Sequence, residues 1–406
     1  MQTSRLAARA ARLNTAVHVA PKAGQISLGG GYAFPDMLPD ISIVAAEAAR
    51  DLRTSILQYG PLLGLPELRD ALVDFLAEDG VNVTRDNILI TSGAKNAMDL
   101  ALKVFAEKGD SIVVSRPNYA TALHLFRNHE VSFIEIDMDE AGLRTDLLEQ
   151  TLTELSDAGR EIPKLVYVVP DFHNPTGITL SLERRKHLVE LADRFDFYIL
   201  EDDPYRRIKF EGEFLPPIQA FDRNGRVIGA GTVSKVFAPG IRIGWANAAP
   251  DIIARMAALK SDGGCSPFTQ KIVASMMKSG EVARHTHEVS VELKMHRDVM
   301  VKALHQHMPQ VSFSVPTGGY YLWVRLPDGL HCDLFTAEAE ASGVTIFSGR
   351  PYFAKADASN YIRLCFATSK PAEIEKGIAI LGRVCTRLHN LAGAGQANSA
   401  EIGHFD

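Results

Sequence analysis

The sequence predicts an α/β protein: a large domain with a mostly parallel sheet sandwiched by helices, and a smaller α+β domain. Between about residues 85 and 250, short β-rich runs alternate with helical stretches, the pattern of strand–helix–strand units. Beyond about 285 the texture changes to a helical stretch, a Pro316-Thr317-Gly318-Gly319 turn and short strands. The polar residues suited to chemistry fall where strands of the first region should end, which is where parallel sheets gather ligands.

Strands are expected at residues 87–91, 111–115, 131–137, 165–170, 197–202 and 226–231. The last, Arg226-Val227-Ile228-Gly229-Ala230-Gly231, is short and apolar enough to be fully buried. Helices are expected between them at 95–108, 119–129, 144–155 and 182–194. The second region reads as a helix at 289–306, strands at 311–315 and 320–326, a helix at 333–342, strands at 344–347 and 361–366, and a helix from 372 to about 389. The division expected is an N-terminal segment (1–45) packing on the small domain and the site, a large domain (46–285), a small domain (286–390) and a flexible tail (391–406).

Composition narrows the function. The 406 residues allow two domains and a substantial core. Net charge is −6 and no basic tract is present, so nucleic acid is not an expected partner. No apolar run is long enough to cross a bilayer, and no signal-peptide core opens the chain. Cys265, Cys332, Cys365 and Cys385 are widely spaced, without a Cys-x-x-Cys pair, which fits a reducing cytoplasm and neither a disulfide framework nor a metal site.

Lys235 is the centre of the chemistry. It follows the 226–231 strand in Thr232-Val233-Ser234-Lys235, with Arg242 seven residues on. A lysine at the mouth of a buried strand is costly unless its amine has a role, and hydroxyls with an arginine suit an anionic phosphate. The spacing excludes a Walker loop, and Gly229-Ala230-Gly231 lacks the third glycine of a dinucleotide fingerprint. Ser92-Gly93-Ala94-Lys95 opens a helix after a strand, where free N–H groups and the helix dipole also favour phosphate. Asn174-Pro175-Thr176-Gly177 is a rigid turn able to project an amide, or simply a turn. Glu201-Asp202-Asp203 ends a buried run in acids, with Tyr205 three residues after Asp202. Arg363 lies within a β-rich run and offers a fork for a carboxylate. Ser27-Leu28-Gly29-Gly30-Gly31 is a backbone that can approach a ligand closely.

The ordered set Gln58-Tyr59-Gly60, Ser92-Gly93-Ala94, Asn174-Pro175-Thr176-Gly177, Asp202 with Tyr205, Ser234-Lys235 with Arg242, and Arg363 resembles the fold-type I pyridoxal-phosphate aminotransferases. Leu57-Gln58-Tyr59-Gly60, Phe172-His173-Asn174-Pro175 and Glu201-Asp202-Asp203 resemble most the aminoadipate/kynurenine branch. The resemblance implies a cytoplasmic enzyme that moves an amino group from an L-amino acid to a 2-oxo acid by a ping-pong route. It assigns Lys235 the Schiff base with pyridoxal 5′-phosphate and the proton shift, and Asp202 the ring nitrogen. Asn174 and Tyr205 would hold the ring oxygen, and Tyr119 would stack on the ring face. The backbone of Gly93, Ala94 and Lys95, with Thr232, Ser234 and Arg242, would hold the phosphate. Arg363, helped by Asn174, Gly30 and Gly31, would hold the substrate carboxylate. Tyr59 would reach the phosphate of a neighbouring subunit, which implies a homodimer. Lys95 departs from the branch, where a neutral polar residue is more usual. The same fold also hosts oxidation, elimination and carbon–carbon bond formation. Aminotransferase-like domains occur in regulators too, but the few residues before Ser27 and the acidic charge point away from a fused DNA-binding domain.

Overall fold

The computed structural model describes residues 24–50, 56–355 and 360–402. In chain order its strands are β1 (Ile26–Ser27), β2 (Ile88–Thr91), β3 (Ser111–Arg116), β4 (Ser132–Asp139), β5 (Gly142–Leu143), β6 (Leu165–Val168), β7 (Tyr198–Asp203), β8 (Val227–Thr232) and β9 (Gly244–Asn247). After these come β10 (Ser312–Phe313), β11 (Tyr321–Arg325), β12 (Val344–Thr345), β13 (Phe347–Ser348) and β14 (Tyr361–Cys365). The helices are α1 (Ser42–Arg50), α2 (Pro66–Ala77), α3 (Ala94–Phe105), α4 (Ala120–Asn128), α5 (Thr145–Asp157) and α6 (Leu182–Phe195). Then follow α7 (Pro250–Ala258), α8 (Pro267–Lys278), α9 (Glu281–His307), α10 (Cys332–Ala341) and α11 (Pro371–Ile402).

Strands β2 to β9 form one sheet in the order β2-β9-β8-β7-β6-β3-β4-β5. Neighbours from β8 through β4 run parallel, while β9 is antiparallel to both β2 and β8. Alternation along the strands creates two cores. Val113, Val166, Ile199 and Val227 face Leu148 and Leu152 of α5 and Leu188 and Leu191 of α6. Ile112, Leu165, Leu200 and Ile228 face the other way, toward Ala97 and Met98 of α3 and Ile252 and Met256 of α7. A sheet covered on both faces needs near-continuous apolar strands, and β2, β6 and β8 are buried throughout. The glycines of β8 have a steric reason: a Cβ on Gly231 would lie 2.2 Å from the Trp245 ring on β9. The two glycines of Gly229-Ala230-Gly231 therefore serve close strand packing.

A second, antiparallel sheet has the order β10-β11-β14-β13, and β1 pairs in parallel with β12. The run 344–347, expected as one strand, is two. Thr345 pairs with Ser27 and Phe347 with Arg363, so the chain passes from one sheet to the other at the buried Ile346. The expected strand at 311–315 shortens to β10. The division between 285 and 286 falls inside the continuous helix α9, and α11 extends through Ile402. Strand β9 and helices α1, α2, α7 and α8 lie outside the elements expected from sequence. Among the described residues, no helix is long and apolar enough to cross a membrane.

Candidate active site

Three consecutive acids end β7, and strand alternation gives them different fates. Glu201 points toward the α6 side, where its carboxylate accepts the backbone N–H groups of Ile218 (2.7 Å) and Gln219 (3.0 Å). Asp203 accepts from Arg206 at 2.7 Å, and Arg206 also meets Asp79. Asp202 faces the opposite side. Its Oδ2 accepts the Tyr167 hydroxyl at 2.7 Å, while its buried Oδ1 has no partner among the described residues. Burial pushes the Asp202 carboxyl up to about 7, against the pull of the Tyr167 hydrogen bond. A carboxylate oxygen left bare inside a protein is expensive, and a cationic partner would stabilise it.

Lys235 lies in the turn that follows β8. Its Nζ donates to the Gly31 carbonyl, and the Tyr320 hydroxyl donates to the Lys235 carbonyl at 2.8 Å. Burial lowers the amine to about 8, with Arg363, Lys95 and Arg242 adding repulsion. The amine is still mostly protonated near physiological pH, but it gives up its proton far more readily than an ordinary lysine, which favours its use as a nucleophile or base.

Below it the turn closes a cup. Ser234 Oγ accepts from Thr232 Oγ1 at 2.9 Å, and Arg242 donates to the Ser92 carbonyl at 2.7 Å. Helix α3 begins at Ala94, after Gly93 with a φ of +95°. Only glycine suits that conformation, and a Cβ there would come within 2.8 Å of Arg242 Nη2. Lys95 stands at the rim, where burial and Arg242 lower its ammonium. Helix N–H groups, hydroxyls and guanidinium converge as a phosphate site requires.

A cavity of about 260 Å³ is lined by Gly93, Ala94, Lys95, Tyr119, Asn174, Asp202, Tyr205, Thr232, Ser234, Lys235 and Arg242. These were expected from sequence; Met98, Val169, Pro204 and Pro239, which also line the cavity, were not. Arg363 and Gly31 stand behind that lining and join it through hydrogen bonds, with Gly30 between Gly29 and Gly31 in the same loop. Arg363 donates to Asn174 Oδ1 (3.0 Å) and the Gly29 carbonyl (2.6 Å), and its buried Nε has no partner among the described residues. Its guanidinium carbon lies 4.1 Å from the centre of the Tyr321 ring. The Tyr205 hydroxyl donates to that of Tyr321 at 3.2 Å. Tyr59 is apart, 87% exposed on the surface. Sequence reading missed Tyr167, Tyr320 and Tyr321. Tyr167 carried a signal, because a tyrosine in an otherwise apolar buried strand needs a partner for its hydroxyl.

The lining fits pyridoxal phosphate. The bare Asp202 oxygen matches a protonated ring nitrogen, the cup matches the phosphate, and the desolvated Lys235 amine matches the aldehyde carbon. The model for aminotransferase class I and II matches residues 25–381. An aromatic-amino-acid aminotransferase of Thermococcus litoralis is 38% identical over 87% of this chain and 86% of its own. The crystal structure of a multiple substrate aminotransferase from Thermococcus profundus superposes with a TM-score of 0.87 at 36% identity, covering 96% of both chains. That of a Pyrococcus horikoshii kynurenine aminotransferase in complex with PMP gives 0.86 at 35% identity over 95% of each. Likeness of this kind runs the length of the chain and coincides with a cavity built for the cofactor, so the chain belongs to the aminotransferase class I and II family and is a pyridoxal-phosphate-dependent aminotransferase.

Proposed function

We propose that the enzyme transfers the amino group of an L-amino acid to a 2-oxo acid in two half-reactions at one cavity. The observation that carries this is the bare Asp202 Oδ1 in the same cavity as the Lys235 amine and the Arg242 cup. Bound pyridoxal phosphate supplies an electron-withdrawing ring that makes the substrate's α-proton acidic. Asp202 keeps a proton on the ring nitrogen. The Asn174 amide and the Tyr205 hydroxyl hold the ring oxygen, and Tyr119 covers one face. Gly93, Ala94, Lys95, Thr232, Ser234 and Arg242 hold the phosphate. Arg363 takes the substrate carboxylate on its unpartnered Nε edge, oriented by Asn174, with Gly30 and Gly31 shaping the approach. Lys235 Nζ, in its neutral form, would carry the α-proton, a step in which a positioned base contributes about 10²–10⁴-fold.

The same reading includes a homodimer. Tyr59 and Leu57 are 87% and 79% exposed, and Ser92, Lys95 and Arg242 are also exposed. The Tyr59 loop adjoins Gly263, and Cys265 Sγ lies 3.7 Å from Ser92 Oγ, so this surface reaches the rim of the phosphate cup. A neighbouring subunit there would close the cup and receive Tyr59. The chain then works as a large domain through 285 and a small domain beyond it, in the cytoplasm, where its four buried free cysteines stay reduced.

The test is the loaded enzyme with pooled amino acids and no acceptor. One equivalent of 2-oxo acid per site is expected, and Lys235→Ala should lower the rate by about 10⁴-fold. Ammonia or carbon dioxide in place of the oxo acid would overturn the reading.

A further inference from the structure

We propose that His173 is a positioning residue, which ties the turn carrying Asn174 to the loop carrying Tyr119 through a hydrogen bond from its Nε2. The inference rests on the roles proposed above for those two residues. His173 is 2% exposed, and its ring bridges two loops. Nδ1 lies 2.9 Å from Thr176 Oγ1, within its own turn, and Nε2 lies 3.2 Å from Ser115 Oγ, at the end of β3.

The network fixes the protons. Ser115 Oγ has one hydrogen and donates it to the Pro117 carbonyl at 2.8 Å, so toward His173 it accepts. Nε2 therefore carries the hydrogen. Burial holds the ring neutral, its titration pushed down to about 3, so Nδ1 is bare and accepts from the Thr176 hydroxyl. Donation runs one way, from Thr176 through His173 and Ser115 to Pro117.

Beyond Pro117 the contacts form a circuit. Asn118 Oδ1 accepts from the Tyr119 backbone at 2.7 Å, and Asn118 N–H donates to the Tyr352 carbonyl at 2.7 Å. The Tyr352 ring lies 5.2 Å from the Arg363 guanidinium, which donates to Asn174 Oδ1 at 3.0 Å. Asn174 follows His173 in the chain. Ring-face, ring-oxygen and carboxylate groups thus share one buried girdle, and the His173–Ser115 bond is its cross-loop link. An ordinary satisfied core histidine needs partners, but they need not join two functional loops.

In the uncomplexed protein, ¹⁵N NMR should show His173 as the neutral Nε2–H tautomer with no titration between pH 8 and 5. An Nδ1–H tautomer, or a ring that protonates in that range, overturns the proposal. In the loaded enzyme, Ser115→Ala and His173→Phe should reduce the visible circular dichroism of the bound cofactor and lower kcat/KM by about five- to thirtyfold. His173→Gln, which can still donate to Ser115, should restore most of both, and His173→Asn, which is too short to reach, should not. Removing Ser115 in the Gln variant should cancel the rescue. If His173→Phe fails to fold, Ser115→Ala and the Gln/Ala pair decide alone. Wild-type dichroism and kcat/KM in Ser115→Ala, with oxo acid still formed and Lys235→Ala dead, would overturn this role and leave the site assignment standing.

Discussion

Two buried polar clusters flank β6 and β7, and they differ in one respect. The Arg185–Asp171 cluster is closed. Arg185 is fully buried, and its five N–H groups reach both Asp171 oxygens and the carbonyls of Leu180, Pro216 and Pro170. The Asp202–Arg363 cluster is open: Asp202 Oδ1 and Arg363 Nε are buried and unpaired. A closed cluster is compatible with the fold, because each polar group has a partner, although burial still outweighs Arg185 and raises the Asp171 carboxyl. An open one is destabilising until a ligand arrives. Unpaired buried atoms also occur away from the cavity, at Arg207 Nε and His285 Nε2, so what marks the site is an unpaired acid and an unpaired guanidinium edge gathered at one cavity.

The contrast is broken most severely by opening the closed cluster. Asp171→Asn leaves a buried guanidinium without its charge partner, and a loss of about 3–5 kcal/mol is expected. Thermal or urea unfolding measures it. Replacing both residues, as Asp171→Leu with Arg185→Met, should cost much less, since no uncompensated charge remains. A single variant that unfolds like wild type would mean that the pair is not closed in solution.

Neutralising the open cluster should do the reverse. Asp202 titrates near 7 in the folded chain and near 3.8 ordinarily. As pH rises from about 4 to 7 the unfolded chain ionises first, so the contribution of Asp202 to wild-type stability falls over that window and levels off above it. Asp202→Asn removes that loss. Without cofactor, the variant should melt above wild type at pH 8 and with it near pH 4, while transamination falls because the ring nitrogen loses its anion. Stability that falls at pH 8 would mean that Asp202 already has a partner in the chain.

Much of this was legible in sequence because it is local. Asp202 lies at the end of a strand, and Lys235, Asn174 and Gly93 lie in short motifs just beyond one, which is where the fold puts a ligand. Charge and neighbouring hydroxyls did the rest. What was missed depends on register. Tyr167 stands opposite Leu200 across β6 and β7, so it shares a face with Asp202 two residues on, and no spacing within either motif encodes that. Strand β9 escaped because four residues between glycine and a proline-started helix hold too little periodicity. The split at Ile346 needed knowledge of two sheets competing for one run.

The smallest expected effect tests that register-borne contact. Tyr167→Phe removes the one side-chain hydrogen bond that Asp202 has among the described residues, a bond that favours its ionised form. With a value of about 1 kcal/mol for such a bond, the carboxyl should rise by up to about one pH unit. The acidic limb of kcat/KM should move to higher pH by a similar amount, while the plateau changes little, because the cofactor nitrogen still faces the other oxygen. Thermal stability should change less than in Asp171→Asn, since the cluster was open already. An unmoved limb would mean that burial alone sets Asp202, and that Tyr167 fills space against Phe126, whose ring it meets edge-on at 4.9 Å. A moved limb would make the tyrosine a tuning residue, and would show that even an open cluster is only partly open: the chain satisfies one oxygen to hold the other ready.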